Sequence, residues 1–322
     1  MFSLRIDKTS KSPARALSLF AIIKNEHYFL PHFFEYYRAM GVEHFLIYDD
    51  GSDALTRDIL HAQRDCTIVG SESSFGDKFG VLPNGGPRRL PAFLKETLPK
   101  QMLADRWVLN ADADEFLVLP SGVVDLPQLT RLLELIKQPY ATAPMVDFYG
   151  ETLAHRNYSP SLTPFEGNPY FDVGPCFKWE GKLVPRSFAS GVRHRLLIRL
   201  IEKHPDLVNK IYGGKPTLAW LWKIPLLKQG VGLNWVGNHG INIPPKTAVT
   251  AALAHFKFYP GLDAKVDQAL SEGQYYGQSV EYFFIDAVRR LFAADTLISE
   301  KTRRYEGPQS LMAAEHILPF AF

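Results

Sequence analysis

Cysteine is nearly missing from this chain: Cys66 and Cys176 are its two, far apart and without the short spacing of a zinc or redox pair. That argues against a disulfide framework and fits a reducing cytoplasm. Excess charge is missing too. With 36 basic and 34 acidic side chains the net charge is +2, so no field of one sign points to nucleic acid as a partner. Long apolar runs are also lacking. The stretch from Ala16 to Ile23 is too short to span a bilayer, and Lys8, Lys11 and Arg15 precede it where a secretory signal would be apolar. The expectation is a soluble cytoplasmic protein. An aromatic segment such as Tyr282 to Ile285 leaves peripheral contact with the inner face of a membrane open, against the plainer reading of a core helix. Two phosphate-binding signatures are absent as well. Neither Gly-x-Gly-x-x-Gly after the first strand nor Gly-Lys-Ser/Thr occurs, and Gly213-Gly-Lys-Pro216 continues with proline, which disfavours dinucleotide oxidoreductases and P-loop enzymes.

What is present suits a folded globular chain: 46% apolar and 22% charged residues, in 322 residues that allow one large α/β domain or two small ones. Beyond a flexible polar tail over residues 1–14, Leu17 to Ile23 reads as a buried first strand. Leu30, Phe33, Phe34 and Tyr37 form a helix face that ends at Gly41. His44 to Tyr48 reads as a second strand closing on Asp49, Asp50, Gly51 and Ser52, and Ser52 or Asp53 can cap the helix that follows. A third strand near Thr67 to Val69, a helix over Arg88 to Asp105 with Pro91 and Pro99 near its ends or kinking it, and a fourth strand at Trp107 to Leu109 come next. A helix at Leu126 to Lys137, a strand at Ala141 to Asp147 and a long Pro- and Gly-rich segment to about Arg193 continue the chain. Arg195 to Ile201 and Ala251 to Tyr259 read as strands, and residues from Asp263 onward as helices. Such alternation predicts an α/β fold with a mostly parallel central sheet, helices on both faces and ligands outside the carboxyl ends of the strands.

At the fourth strand end stand Asp112, Asp114 and Glu115. In extended backbone Asp112 and Asp114 share a side and Glu115 points to the other, so the two aspartates can grip one cation. Apolar neighbours, Trp107 to Leu109 and Phe116 to Leu119, argue against a freely solvated acidic loop. Paired carboxylates at the rim of a core call for a compensating cation, and oxygen ligands favour Mg²⁺ or Mn²⁺ with substrate phosphates completing the shell. The competing reading is an acidic strand end that caps a helix. Alternation places His255 and Lys257 on one side of a strand, an imidazole for a metal and an ammonium for phosphate. A lone strand histidine is more often structural, and His239 is the rival. Arg88, after Asn84-Gly-Gly-Pro87, is a candidate phosphate fork, with a solvated basic loop as the alternative.

Three ordered segments, Phe20-Ala-Ile-Ile-Lys-Asn-Glu26, Ile47-Tyr-Asp-Asp-Gly-Ser52 and Trp107-Val-Leu-Asn-Ala-Asp-Ala-Asp-Glu-Phe116, resemble the pattern of glycosyltransferase family 2, in particular the bacterial branch close to family 92. Lys223-Ile-Pro-Leu-Leu227 and Ala254-His-Phe-Lys-Phe258 extend the resemblance more loosely, from about residue 15 to 280. It implies a GT-A catalytic domain over residues 15–260, with a nucleotide-sugar half at 15–120 and an acceptor half at 121–260. A helical extension at 261–322 packs on the same domain.

The resemblance also implies that Asn25, Glu26, Asp49 and Asp50 hydrogen-bond a nucleotide, and that a late histidine, His255, completes the metal site. The expected reaction is inverting transfer from a nucleotide-diphospho sugar to a carbohydrate or glycolipid hydroxyl, in cell-surface polysaccharide or lipopolysaccharide synthesis. A carboxylate base is then needed on the acceptor side. Asp147 and Asp172 are the candidates, ahead of Glu151 and Glu166, although Asp147 can equally cap or turn the chain. Trp179, Trp220, Trp222 and Trp235 either stack on acceptor sugars or fill core. Two alternatives remain: a non-catalytic nucleotide-sugar or carbohydrate-binding protein on the same fold, and a nucleotidyltransferase, which should carry a Gly-rich basic loop where this chain has Lys24-Asn-Glu26.

Overall fold

A computed structural model describes residues 2–83, 85–154, 162–174, 177–179, 185–187, 190–214, 216, 221–245 and 251–317. The first half alternates as its apolar runs suggest: β1 (Arg5–Lys8), β2 (Ser18–Ile23), α1 (Leu30–Ala39), β3 (His44–Asp49), α2 (Ala54–Ala62) and β4 (Cys66–Gly70). A hairpin of β5 (Lys78–Val81) and β6 (Pro87–Arg89) leads into α3 (Leu90–Met102), followed by β7 (Trp107–Asn110), β8 (Glu115–Val118), α4 (Leu126–Leu135) and β9 (Tyr140–Asp147). Then come α5 (Pro164–Gly167), β10 (Tyr170–Asp172), β11 (Phe177–Trp179), β12 (Pro185–Ser187), α6 (Gly191–Lys203) and α7 (Pro205–Tyr212). The last stretch holds β13 (Trp222–Lys228), β14 (Trp235–Val236), β15 (Gly240–Ile241), β16 (Ala252–His255), α8 (Leu262–Glu272), α9 (Tyr276–Leu291), β17 (Thr302–Arg304) and α10 (Pro308–Ala313).

Nine strands form the main sheet in the order β1-β4-β3-β2-β7-β13-β9-β16-β8. Its first half is parallel as expected, β4 to β3, β3 to β2 and β2 to β7. The second half is mixed. β13 runs antiparallel to both β7 and β9, β16 is parallel to β9, and β8 is antiparallel to β16. A mostly parallel sheet is therefore corrected to a mixed one within an α/β architecture. The antiparallel pairs come from β13 and β8, which run against their sheet neighbours, and β8 leaves β7 through a turn rather than through the helical crossover that a parallel strand requires. The tail also departs from expectation. Residues 5–8 pair antiparallel with β4, so part of the polar N-terminal segment is an edge strand.

Between β7 and β8 the chain has only Ala111 to Asp114, closed as a turn by the Glu115 amide donating to the Asp112 carbonyl at 3.0 Å. In sheet order three strands separate β7 from β8. A flat sheet would place them about 19 Å apart, since neighbours lie ~4.8 Å from one another. A tight turn cannot bridge that, so this half of the sheet curls back on itself. Helix α1 lies inside the curl, its buried Leu30, Phe33, Phe34 and Tyr37 at the predicted spacing. Tyr37 donates from its hydroxyl to the Glu115 carbonyl and accepts from the Leu117 amide, and the Tyr36 hydroxyl donates to the Leu117 carbonyl. These hydroxyls satisfy the outer edge of β8 and blunt it against further strand pairing.

Two further expectations change. Arg195 to Ile201 lies in α6, whose buried Val192, Leu196, Leu197 and Leu200 follow helical spacing once Val192 is included. The helix expected from Arg88 starts at Leu90, because Pro87–Arg89 pairs with β5. Among the described residues no helix is long and apolar enough to cross a membrane, and Tyr282, Phe284 and Ile285 are buried in α9. Cys66 is a free, buried thiol; Cys176 lies outside the described residues.

Candidate functional site

Strands β2, β3, β7, β9 and β16 point the same way, so the polar residues at their carboxyl ends gather at one edge of the sheet. Register does the finer placing. Glu115 on β8 pairs with His255 on β16, and His255 pairs with Asp147 on β9, which sets three chemistry-bearing residues in one row across three neighbouring strands. Asp114 lies one residue before that row, its carbonyl accepting from the Phe256 amide. His255 consequently has Nδ1 at 2.8 Å from Asp147 Oδ1 and Nε2 at 3.5 Å from Asp114 Oδ2. Burial would lower the imidazolium pKa, but Asp114 and then Asp147 outweigh it and lift it to about 9. Burial likewise works against an ionised Asp114, yet His255 and Lys257 hold its carboxyl at about 2.

Asp147 was a candidate base and is not placed as one. Its side chain is 1% exposed, with Arg193 Nε on Oδ2 at 2.7 Å and His255 on Oδ1. It stands behind His255 and orients it. Arg193 in turn reaches Glu281 on α9 at 2.5 Å. Asp172, the other candidate, is also closed off: Arg195 holds both its oxygens, Tyr149 donates to Oδ1, and its side chain is 2% exposed. Glu166 serves a capping box with Thr163, and Glu151 accepts from the Tyr170 hydroxyl.

Asp112 and Asp114 do not grip one point from an extended strand, because the segment is a turn. Asp112 meets Lys223 at 2.8 Å and Lys95 at 3.2 Å. Glu115 bonds Lys223 through one oxygen and the Asp112 amide through the other. Lys223 sits where β13 skips a register step around Pro225, a residue without an amide for the ladder. Burial would raise the Asp112 carboxyl, but Lys223 and Lys95 keep it well below the usual carboxylate range. Even so, Asp112 is 41% exposed and Asp114 22%, against 1% for Glu115. Asp112 and Asp114 face the opening, and Glu115 braces them from beneath.

Asp114, Glu115 and His255 offer ligand atoms within 4.8 Å of one another. Glu115 is neutralised by Lys223, whereas Asp114 and His255 pair with each other, so a cation that takes these two as ligands must displace the imidazolium proton. The Asp147 contact suits this role, since a carboxylate on one ring nitrogen fixes the tautomer that presents the other to a metal. His239 lies on the Lys223 side of the cluster: its Nδ1 faces the Trp222 carbonyl at 2.7 Å, and burial with Lys223 and Lys95 nearby pushes its pKa down to about 3. No family model and no curated protein matches the chain.

The first two strand ends meet the same edge. Asp49 accepts from the Ser52 amide, and the buried Asp50 Oδ2 has no hydrogen-bond partner among the described residues, lying 4.0 Å from Lys24 Nζ. Burial raises Asp50 to about 6. Asn25, in left-handed conformation, accepts from the Asp53 amide and donates to Gln268, while Glu26 pairs with Lys265. Glu26, Asp114, Lys257, Tyr259, Leu262, Lys265 and Tyr282 line a cavity of about 10 Å³, room for a single water. Lys257 lines this cavity from beyond the end of β16: the strand expected to run to Tyr259 stops at His255, so strand alternation is not what places Lys257. Arg88 does not: it bonds Glu96 and the Phe79 carbonyl within its own hairpin and helix. Trp222 and Trp235 are core, and the side chains of Trp179 and Trp220 lie outside the described residues.

Sequence reasoning missed Arg193, Glu281, Lys95 and Lys265. A charged residue on an otherwise core-facing helix was the one signal available for them, and it names no partner.

Proposed function

We propose that this chain is a divalent-metal-dependent glycosyltransferase, moving a sugar from a nucleotide-diphospho sugar to an acceptor hydroxyl. The observation that carries it is His255, with Asp147 on Nδ1 and the half-open Asp114 carboxylate facing Nε2 at 3.5 Å, at the carboxyl edge of the sheet. Asp114 and His255 would hold Mn²⁺ or Mg²⁺, and the bound ion supplies neutralisation of the charge that develops on a departing diphosphate. Asp147 and Arg193 keep His255 in the presenting orientation. Lys223 and Lys95 keep Asp112 ionised at the opening, where it can accept from sugar or ribose hydroxyls. The Asp50 oxygen beyond the end of β3, without a hydrogen-bond partner among the described residues, suits a ribose hydroxyl or base N–H donor. Inversion rests on the family 2 resemblance alone.

The test is a thermal-shift screen of nucleotide-diphospho sugars with Mn²⁺, followed by turnover assays of wild type and Asp114→Asn. A ligand at ~100 times its dissociation constant should stabilise the fold by ~2.7 kcal/mol. The expected result is a metal-dependent shift and turnover in wild type and the loss of both in Asp114→Asn. Absence of any shift sinks the proposal, and metal-dependent binding without turnover on any acceptor would make the chain a nucleotide-sugar-binding protein instead.

A further inference from the structure

Helix α8 presents Lys265, Gln268 and Glu272 on one face, at i, i+3 and i+7, and each meets one of three consecutive residues after β2. Lys265 bonds Glu26 at 2.7 Å, Gln268 accepts from Asn25 at 3.1 Å, and Glu272 bonds Lys24 at 2.9 Å. Lys265 also donates to the Lys24 carbonyl. The helix thus clasps the first strand end. Beneath the clasp, Lys257 and Lys265 line one cavity with Asp114 and Glu26, and that cavity holds no more than a water. Lys257 Nζ lies 5.1 Å over the Tyr282 ring, so its charge already has an aromatic face, whereas Lys265 is neutralised by a carboxylate. Glu26 and Lys265 are 16% and 12% exposed, so an anionic oxygen that replaced Glu26 would take over a largely desolvated ammonium. At the same edge the buried Asp50 Oδ2 has no hydrogen-bond partner among the described residues and lies 4.0 Å from Lys24 Nζ, an acceptor suited to a hydroxyl or N–H of the nucleoside whose diphosphate would reach Lys265.

We propose that Lys265 is an anion-binding residue of the cleft, exchanging Glu26 for the diphosphate of a nucleoside diphosphate, and that α8 is a clasp which this exchange releases from Glu26. The inference rests on the glycosyltransferase reading for the class of its ligand. Glu26 then acts as the resident competitor rather than as a donor-binding residue.

Calorimetric titration of the full chain with inorganic pyrophosphate, and separately with UDP and GDP, each with Mn²⁺, tests it. Lys265→Ala should weaken pyrophosphate binding about tenfold or more, the worth of a charge-assisted hydrogen bond. Lys265→Arg should restore it, and Glu26→Gln should bind pyrophosphate more tightly than wild type because the competing charge is gone. A purely structural ion pair predicts the opposite for Glu26→Gln, unchanged or weaker binding, and that result overturns the exchange. If Lys265→Ala retains wild-type circular dichroism and wild-type pyrophosphate affinity, the inference falls while the proposed function stands. Wild type that binds Mn²⁺ but neither pyrophosphate nor either nucleotide removes both. Should Lys265→Ala fail to fold, the Lys265→Arg and Glu26→Gln affinities decide the matter.

Discussion

Arg193 is 4% exposed, and it holds Asp147 with Nε and Glu281 with Nη1. Removing one partner of a buried ion pair leaves the other charge unpaired in a poor solvent for it, so Arg193→Met should destabilise the fold by ~3–5 kcal/mol in urea denaturation. Asp147→Asn asks a different question of the same row. It keeps the shape but offers an amide in place of the carboxylate on Nδ1, and Mn²⁺ affinity measured by titration should fall by ~10- to 100-fold. An unchanged affinity would mean that Asp147 is there for packing alone. Residues of this kind were hard to read in advance. Asp147 was visible as a polar strand end, but its role depends on Arg193, 46 positions away, and on His255, 108 positions away.

Elements were more legible than partners. Helix α2 begins where its cap was expected: Asp53 accepts from the Thr56 amide at 2.7 Å, and Asp53→Ala should cost about 1 kcal/mol of stability, seen as a lowered melting temperature. Helix α1 and strands β2, β3, β7 and β9 were equally readable, because a short apolar run or a 3.6-residue stripe is written locally. Helix α6 was misread, since seven residues of a two-sided apolar pattern fit a strand as well as a helix. The β1 edge was missed for another reason. Residues 5–8 carry almost no apolar signal, and β4 supplies their hydrogen-bond partners from some 60 residues further on. Lys265 and its neighbours on α8 pair with residues more than 200 positions earlier, which no window along the chain can see.

At the scale of the whole molecule, buried neutral histidines should make the fold acid-sensitive. His44 is buried, with Nε2 at 3.0 Å from the Thr67 hydroxyl, and burial with Arg106 nearby lowers its pKa from 6.5 to about 4. The unfolded chain takes up this proton near pH 6.5 and the folded chain does not. Stability from His44 is therefore fully present above pH 6.5 and is lost as pH falls through 4, by about 3.5 kcal/mol at ~1.4 kcal/mol per unit. Urea midpoints at pH 7.5 and 4.5 should differ less in His44→Gln than in wild type; equal differences would refute the assignment. The turn from Ala111 to Asp114 adds a consequence of another kind. It is at once the strap that draws the sheet into its curl and the carrier of Asp112 and Asp114, so the same few peptide units serve architecture and chemistry. A chain lengthened there by even one residue is expected to lose both together.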